Sequence, residues 1–187
     1  MKYNPKINEW AARLGGFANI HPYAPECSLQ GPLKLMWELQ KVLADIGGFS
    51  HVSLQPAAGA QGEFVGIAMI RKALTQSGNP RKKMLVPDSA HGTNPATAAF
   101  HDYEVTSIRS AETGCIDVAD VREKMDADCA GIMITNPNTL GIFEKDIKAI
   151  CEIVHEKGGY VYGDGANLNA IMGITRPGDW GVDVMHF

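Results

Sequence analysis

The carboxylate of Asp164 is the side chain best placed for chemistry in this sequence. It ends a short strand-like run, residues 160–163, and the small residues Gly165 and Ala166 follow it. A carboxylate at the carboxyl end of a buried strand lies where open α/β sheets bind ligands, and burial requires that it has a partner. We expect Asp164 to face a flat, cationic heteroaromatic ring through a charge-assisted hydrogen bond, with a helix N-cap as the alternative role.

Three other segments follow predicted strands and should gather at the same edge of the sheet. Residues 56–63 are small and begin a helix, whose free N–H groups and positive dipole end suit a phosphate. Residues 88–95 contain His91, which could stack on a flat ring or move a proton. Residues 135–141 contain Asn136, whose amide could bind a phenolic oxygen or a substrate carboxylate. Each segment alone is also explained by ordinary turn chemistry.

Together, a phosphate-binding turn, a ring-stacking histidine, an amide and a carboxylate describe pyridoxal phosphate better than a nucleotide. Residues 56–63 match neither the Gly-x-x-x-x-Gly-Lys-Ser/Thr loop nor the Gly-x-Gly-x-x-Gly fingerprint. A dinucleotide site would also need an acidic residue for the ribose. A generic nucleotide-binding domain remains an alternative, but the sequence of residues 56–63 does not favour it. No metal site is predicted.

Composition and charge narrow the class of protein. The chain has 187 residues and a net charge of −4, which argues against a general nucleic-acid binder. No apolar run approaches the roughly 20 residues of a membrane span, and the N-terminus lacks the apolar core of a signal peptide. The four cysteines form no Cys-x-x-Cys pair, so we expect reduced, inert thiols and a cytoplasmic location.

Helical and strand-like patterns alternate along most of the chain. Helices are predicted at 32–46, 59–76, 95–101, 118–125 and 145–156, and strands at 52–54, 83–86, 103–108, 130–135, 160–163 and 183–187. Because the strands are mostly apolar, they should be parallel and covered by helices on both faces. Residues 1–31 show little periodicity, so we expect an irregular N-terminal segment there and one domain over residues 32–187.

Five segments resemble the glycine decarboxylase P-protein of the glycine cleavage system, most closely subunit 2 of the two-subunit bacterial form. They are residues 55–63, 89–96, 134–139, 162–170 and 176–179. The resemblance implies an α/β fold of the fold type I pyridoxal phosphate enzymes, with a mostly parallel sheet flanked by helices in a truncated large domain. It also implies glycine decarboxylation and transfer of the aminomethyl group to a lipoyl carrier protein.

The same resemblance implies roles for single residues in binding pyridoxal 5′-phosphate. The implied cofactor-binding residues are Gly59, Ala60, Gln61, His91, Asn136, Asp164 and Ala166. Asp164 should face the pyridine nitrogen, and the ring should lie between Ala166 and His91, which is also the candidate catalytic residue. The backbone of the first three residues should bind the phosphate, and Asn136 should bind the phenolic oxygen.

The family pattern continues past the position of Phe187 into Asn-Leu-His-Lys, whose lysine holds the cofactor as a Schiff base, and it has residues ahead of Met1. We therefore expect an internal fragment that binds the cofactor weakly and turns over no glycine. The resemblance further implies an oligomer whose partners are P-protein subunit 1 and the lipoyl carrier protein, with no nucleic acid and no membrane. The alternative is a non-catalytic binding or assembly fragment of an α/β domain.

Overall fold

The computed structural model describes residues 5–187, which belong to two compact units. The first unit extends to Asp45 and also includes Ser50–Leu54. It contains the helices α1 (Lys6–Ala12) and α2 (Gly15–Ala18) and most of α3 (Gln30–Gly47). The segment 1–31 that the sequence predicts to be irregular therefore contains short helices, while its first four residues lie outside the described part. The domain boundary at residue 32 stays a prediction.

The second unit, Ile46–Phe49 with Gln55–Phe187, carries the predicted alternation of strands and helices. Its strands are β1 (Lys83–Pro87), β2 (Glu104–Ile108), β3 (Cys129–Thr135), β4 (Tyr160–Asp164) and β5 (Val184–His186). Its longer helices are α4 (Gly59–Gln76), α5 (Thr93–Phe100), α6 (Val118–Lys124) and α7 (Ile147–Glu156). The strands form one parallel sheet in the order β2-β1-β3-β4-β5, so their carboxyl ends lie at one edge.

Alternating residues of the central strand β3 enter two separate hydrophobic clusters, one on each face of the sheet. Ile132 and Ile134 pack in the cluster that includes residues of α6 and α7. Met133 packs on the other face with Ile67 and Ile70 of α4. Because side chains of a strand point alternately to its two faces, an apolar strand is buried on both sides. The apolar sequence of β3 predicts this covering on both faces.

The strand predicted at residues 52–54 is wrong, because residues 51–56 have no regular secondary structure. The backbone carbonyl of Val52 accepts a hydrogen bond of 2.6 Å from Gln40 Nε2 in α3, so a side chain satisfies it instead of a neighbouring strand. Helix α5 begins at Thr93 rather than at Pro95. Proline is tolerated there because N–H groups in the first turn have no intrahelical acceptor.

The four cysteines are free thiols, and three of them are buried. Burial raises the pKa of Cys129 to about 11 and that of Cys151 to about 12, which keeps both thiols protonated at neutral pH. This agrees with the inert character that the sequence predicts for them. Within residues 5–187, no helix is both long enough and apolar enough to cross a bilayer.

Candidate functional site

Asp164 is buried at the carboxyl end of β4, where it lies between Thr135 of β3 and His186 of β5 in the strand register. Its Oδ1 atom accepts a hydrogen bond of 3.0 Å from the backbone N–H of Ala166. The same oxygen lies 3.5 Å from His186 Nε2. The carboxylate is therefore held in one orientation by the turn that follows its strand. The exposed Ala166 side chain lies beside it at the open edge of the sheet.

A second buried carboxylate, that of Glu63 in α4, is joined to Asp164 through one amide. The fully buried Asn94 side chain lies 3.1 Å from Glu63 Oε2 and 3.2 Å from Asp164 Oδ2. Because both neighbours are hydrogen-bond acceptors, the amide nitrogen must face them and donate to both. Glu63 is only 2% exposed, and its Oε1 atom has no hydrogen-bond partner within residues 5–187.

His91 is exposed in the loop after β1 and is connected to this buried network. Its Nδ1 atom lies 2.7 Å from the hydroxyl oxygen of Thr93, and that hydroxyl donates a hydrogen bond of 3.0 Å to Glu63 Oε2. The imidazole is thus fixed at one end while the rest of the ring is open to solvent. An exposed ring held in this way is suited to stack on a flat ligand.

The turn before α4 lies near the same edge, beside His186, and its first N–H groups have no acceptor within the helix. The Ala58 carbonyl accepts hydrogen bonds from the N–H groups of Gln61 and Gly62, at 3.0 and 3.1 Å. The Gln61 side chain in turn accepts a hydrogen bond of 2.7 Å from the N–H of Ala57. The N–H groups of the two residues that begin the helix, Gly59 and Ala60, have no intrahelical acceptor and suit an anion.

His186 connects Asp164 with this turn. Its Nε2 atom faces Asp164, and a Cβ atom built on Gly59 would lie 3.3 Å from that nitrogen. Its Nδ1 atom shares a hydrogen bond of 2.5 Å with the hydroxyl of Tyr162. Gly62 leaves room for the imidazole, since a Cβ atom there would lie 2.8 Å from His186 Cβ. The turn before α4 and the buried carboxylate of Asp164 are therefore neighbours of a single side chain.

Asn136, which follows β3, is also buried at this edge of the sheet. Its Oδ1 atom accepts a hydrogen bond of 3.0 Å from the backbone N–H of Glu144. Its Nδ2 atom has no hydrogen-bond partner within residues 5–187. Asn136 and Asp164 line one small cavity together with Trp180. An unpaired buried donor of this kind is available to a ligand oxygen.

Three further residues at the site, Glu63, Asn94 and His186, are not among those that the sequence predicts. A signal for Glu63 was present, because helical spacing from it leads to the buried residues Ile67 and Ile70, so its carboxylate falls on the buried face. No comparable pattern marks the other two residues. Their contacts depend on how α5 and β5 pack against segments that are distant in the sequence.

The arrangement favours a ligand that carries a positive and a negative group. The buried carboxylates of Glu63 and Asp164 favour a cation, and the N–H groups of Gly59 and Ala60 favour an anion. The unpaired Nδ2 atom of Asn136 adds a donor between the strand ends. A protonated heteroaromatic ring with a phosphate group meets these requirements, so the residues present fit the predicted kind of cofactor.

Solved structures contain the same fold. The crystal structure of a glycine decarboxylase (P-protein) of the glycine cleavage system, in inhibitor-bound form, matches with a TM-score of 0.78 and 24% identity, over 97% of this chain and 40% of that one. An alanine aminotransferase from Pyrococcus furiosus matches with a TM-score of 0.53 and 21% identity, over 70% of this chain and 34% of that one. The predicted fold class, a mostly parallel fold type I sheet flanked by helices, is confirmed.

Sequence comparison also identifies the family to which this chain belongs. The family model of the glycine cleavage system P-protein matches residues 11–186. The chain is 56% identical over all 187 residues to probable glycine dehydrogenase (decarboxylating) subunit 2 proteins from Chlorobaculum tepidum and Listeria monocytogenes. It spans 38% of the length of these curated relatives. Since the family model covers nearly the whole chain, this chain belongs to the glycine cleavage system P-protein family.

Proposed function

We propose that this chain provides cofactor-binding residues of an enzyme that decarboxylates glycine with pyridoxal phosphate and transfers the aminomethyl group to a lipoyl carrier protein. Family membership supports the reaction, and the relatives are named for glycine dehydrogenase (decarboxylating). The observation that carries the proposal is the buried Asp164 carboxylate near the N-terminus of α4, with the His186 imidazole next to both.

The two ends of the cofactor would be held by different parts of the site. When bound, pyridoxal phosphate supplies an aromatic ring that accepts the electron pair left by departing carbon dioxide. Asp164 would keep the pyridine nitrogen protonated, because a nearby anion favours the charged form of a base. The N–H groups of Gly59 and Ala60 would bind the phosphate. Gln61 would support that turn mainly through its side-chain bond to Ala57.

The faces and the remaining oxygen of the cofactor would be contacted by three other predicted residues. The exposed Ala166 beside Asp164 would lie against one face of the ring, and His91 against the other. The free Nδ2 atom of Asn136 would donate to the phenolic oxygen. The contact between His91 Nδ1 and Thr93 would keep the imidazole from rotating away.

The partners and the location are part of the same proposal. The proposed partners are P-protein subunit 1 and the lipoyl carrier protein in an oligomeric assembly, and the relatives' name as subunit 2 and the match to the glycine cleavage system family support a multi-component system. A cytoplasmic location is part of the proposal, and the four free thiols support it because disulfides are rare in that compartment. Glycine is the substrate.

An exchange assay tests the reaction. The protein that contains this chain, combined with its partner subunit, pyridoxal phosphate and a lipoyl carrier protein, should exchange the carboxyl carbon of glycine with labelled bicarbonate. The exchange should fall to background without the cofactor or with alanine in place of glycine. Cofactor binding without glycine-dependent exchange would reject the reaction and support the non-catalytic binding module instead.

Replacing His91 tests its proposed stacking on the ring. We expect His91→Ala to weaken the binding of pyridoxamine 5′-phosphate about tenfold, because aromatic stacking contributes roughly 0.5–1.5 kcal/mol. His91→Phe should keep the affinity within about threefold, since a phenyl ring also stacks. Titration calorimetry measures both affinities. Because His91 is exposed, we expect both variants to fold like the unmodified chain. If both variants weaken binding equally, His91 does not contribute to binding by stacking on the cofactor ring.

A further inference from the structure

The buried Tyr162 hydroxyl fixes which nitrogen of His186 carries a hydrogen. Tyr162 is fully buried, and within residues 5–187 its hydroxyl makes one hydrogen bond, to His186 Nδ1. Burial, followed by the nearby charges of Glu63 and Asp164, raises the pKa of Tyr162, so the phenol keeps its proton. A buried O–H group without an acceptor is costly, so this hydroxyl must donate to Nδ1.

The second nitrogen of His186 then carries the ring hydrogen. With Nδ1 acting as an acceptor, the imidazole is neutral and is protonated at Nε2. This nitrogen faces Asp164 Oδ1 at 3.5 Å. It also lies at the N-terminus of α4, where a Cβ atom on Gly59 would be 3.3 Å away.

The helix is shaped to accept this imidazole. A side chain at Gly62 would collide with His186 Cβ, and a Cβ atom at Gly66 would lie 2.6 Å from the ring of Tyr162. Two glycines one helical turn apart thus leave space for the two hydrogen-bonded side chains. The imidazole is only slightly exposed, which leaves its N–H group facing the carboxylate rather than bulk water.

We propose that His186 is a positioning residue for Asp164, held by Tyr162 as the Nε2–H tautomer so that its N–H group keeps the carboxylate oriented towards the cofactor nitrogen. The effect on the cofactor rests on the proposed function. The tautomer and its dependence on Tyr162 are properties of this chain alone.

Nuclear magnetic resonance of the chain with ¹⁵N-labelled histidine tests the tautomer without cofactor. At a pH of about 8, long-range ¹H–¹⁵N spectra should show His186 with a bare Nδ1 and a protonated Nε2, with His186→Gln used to assign the signal. Tyr162→Phe, which removes only the hydroxyl, should convert this signal to a mixture of tautomers. A protonated Nδ1 in the unmodified chain, or a signal that Tyr162→Phe leaves unchanged, would overturn the proposal.

Binding of pyridoxamine 5′-phosphate tests the consequence for Asp164. His186→Met should weaken binding about tenfold, whereas His186→Gln, which keeps an N–H donor of similar reach, should stay within about threefold of the unmodified chain. Thermal melting checks that both variants fold. If His186→Met binds as tightly as the unmodified chain, the positioning role is wrong. If the unmodified chain binds no cofactor while the tautomer is as expected, the proposed function fails and the Tyr162–His186 pairing stands.

Discussion

Asp164→Asn is expected to weaken the binding of pyridoxamine 5′-phosphate by two to three orders of magnitude. The substitution removes the negative charge that would pair with the protonated ring nitrogen at a buried position. Removing one partner of a buried ion pair costs about 3–5 kcal/mol, and the lower part of this range corresponds to roughly 10²–10³ in affinity. The fold should persist, because the amide oxygen of asparagine can still accept the hydrogen bond from the N–H of Ala166.

Titration calorimetry measures this effect, with Asp146→Asn as the matched control. Asp146 is exposed at the start of α7, and its side chain makes no capping hydrogen bond, so the same change there should leave the affinity unaltered. Pyridoxamine 5′-phosphate has no aldehyde, so its binding reports the ring and phosphate contacts without a covalent bond. An affinity of Asp164→Asn within threefold of the unmodified chain would remove Asp164 from the site.

Gly165→Ala is expected to destabilise the second unit by about 3 kcal/mol, or roughly 6–12 °C in Tm, and to abolish cofactor binding. A Cβ atom at this position would overlap the backbone carbonyl oxygen of His186 and lie 2.8 Å from Phe187 Cβ. Because a backbone carbonyl cannot rotate away as a side-chain tip can, the ends of β4 and β5 must separate. That movement would also take His186 away from Asp164.

The control for this steric argument is Gly92→Ala, in the loop after β1. Gly92 has an ordinary helical conformation, with φ of −60°, and a Cβ atom there would meet nothing within 4 Å. We expect this variant to be as stable as the unmodified chain or more stable by roughly 0.4–1 kcal/mol, because alanine has less freedom in the unfolded state. Chemical denaturation of both variants gives the comparison. Equal stabilities would mean that Gly165 does not hold β4 and β5 together.

The parts of the fold that the sequence predicts well are those with long, regular hydrophobic periodicity. Helix α4 has the predicted bounds, and β4 extends the predicted run by one residue, to Asp164. The pattern fails at residues 52–54, where three residues are too few to distinguish a strand from a loop whose carbonyl is satisfied by the Gln40 side chain. Hydrophobic periodicity shows which face of a helix or strand is buried. It can do so only when the segment has several helical turns or several alternating apolar and polar residues.

The site is predictable to the extent that its residues follow strand ends. Asp164 ends β4 and Asn136 follows β3, and both are buried at one edge because parallel strands bring their carboxyl ends together. The turn at Gly59 follows no strand, and it lies near this edge because α4 packs beside His186 of β5. The amide of Asn94 and the imidazole of His186 are different. Their roles arise from contacts among α4, α5 and the two last strands, and no local pattern encodes such contacts.

A crystal structure of this chain with pyridoxamine 5′-phosphate would show which groups hold the cofactor. We expect the pyridine nitrogen to lie within about 3 Å of the Asp164 carboxylate, while the phosphate accepts hydrogen bonds from the N–H groups of Gly59 and Ala60. A cofactor whose phosphate binds away from that turn, or whose ring nitrogen faces a group other than Asp164, would rule out the proposed binding mode.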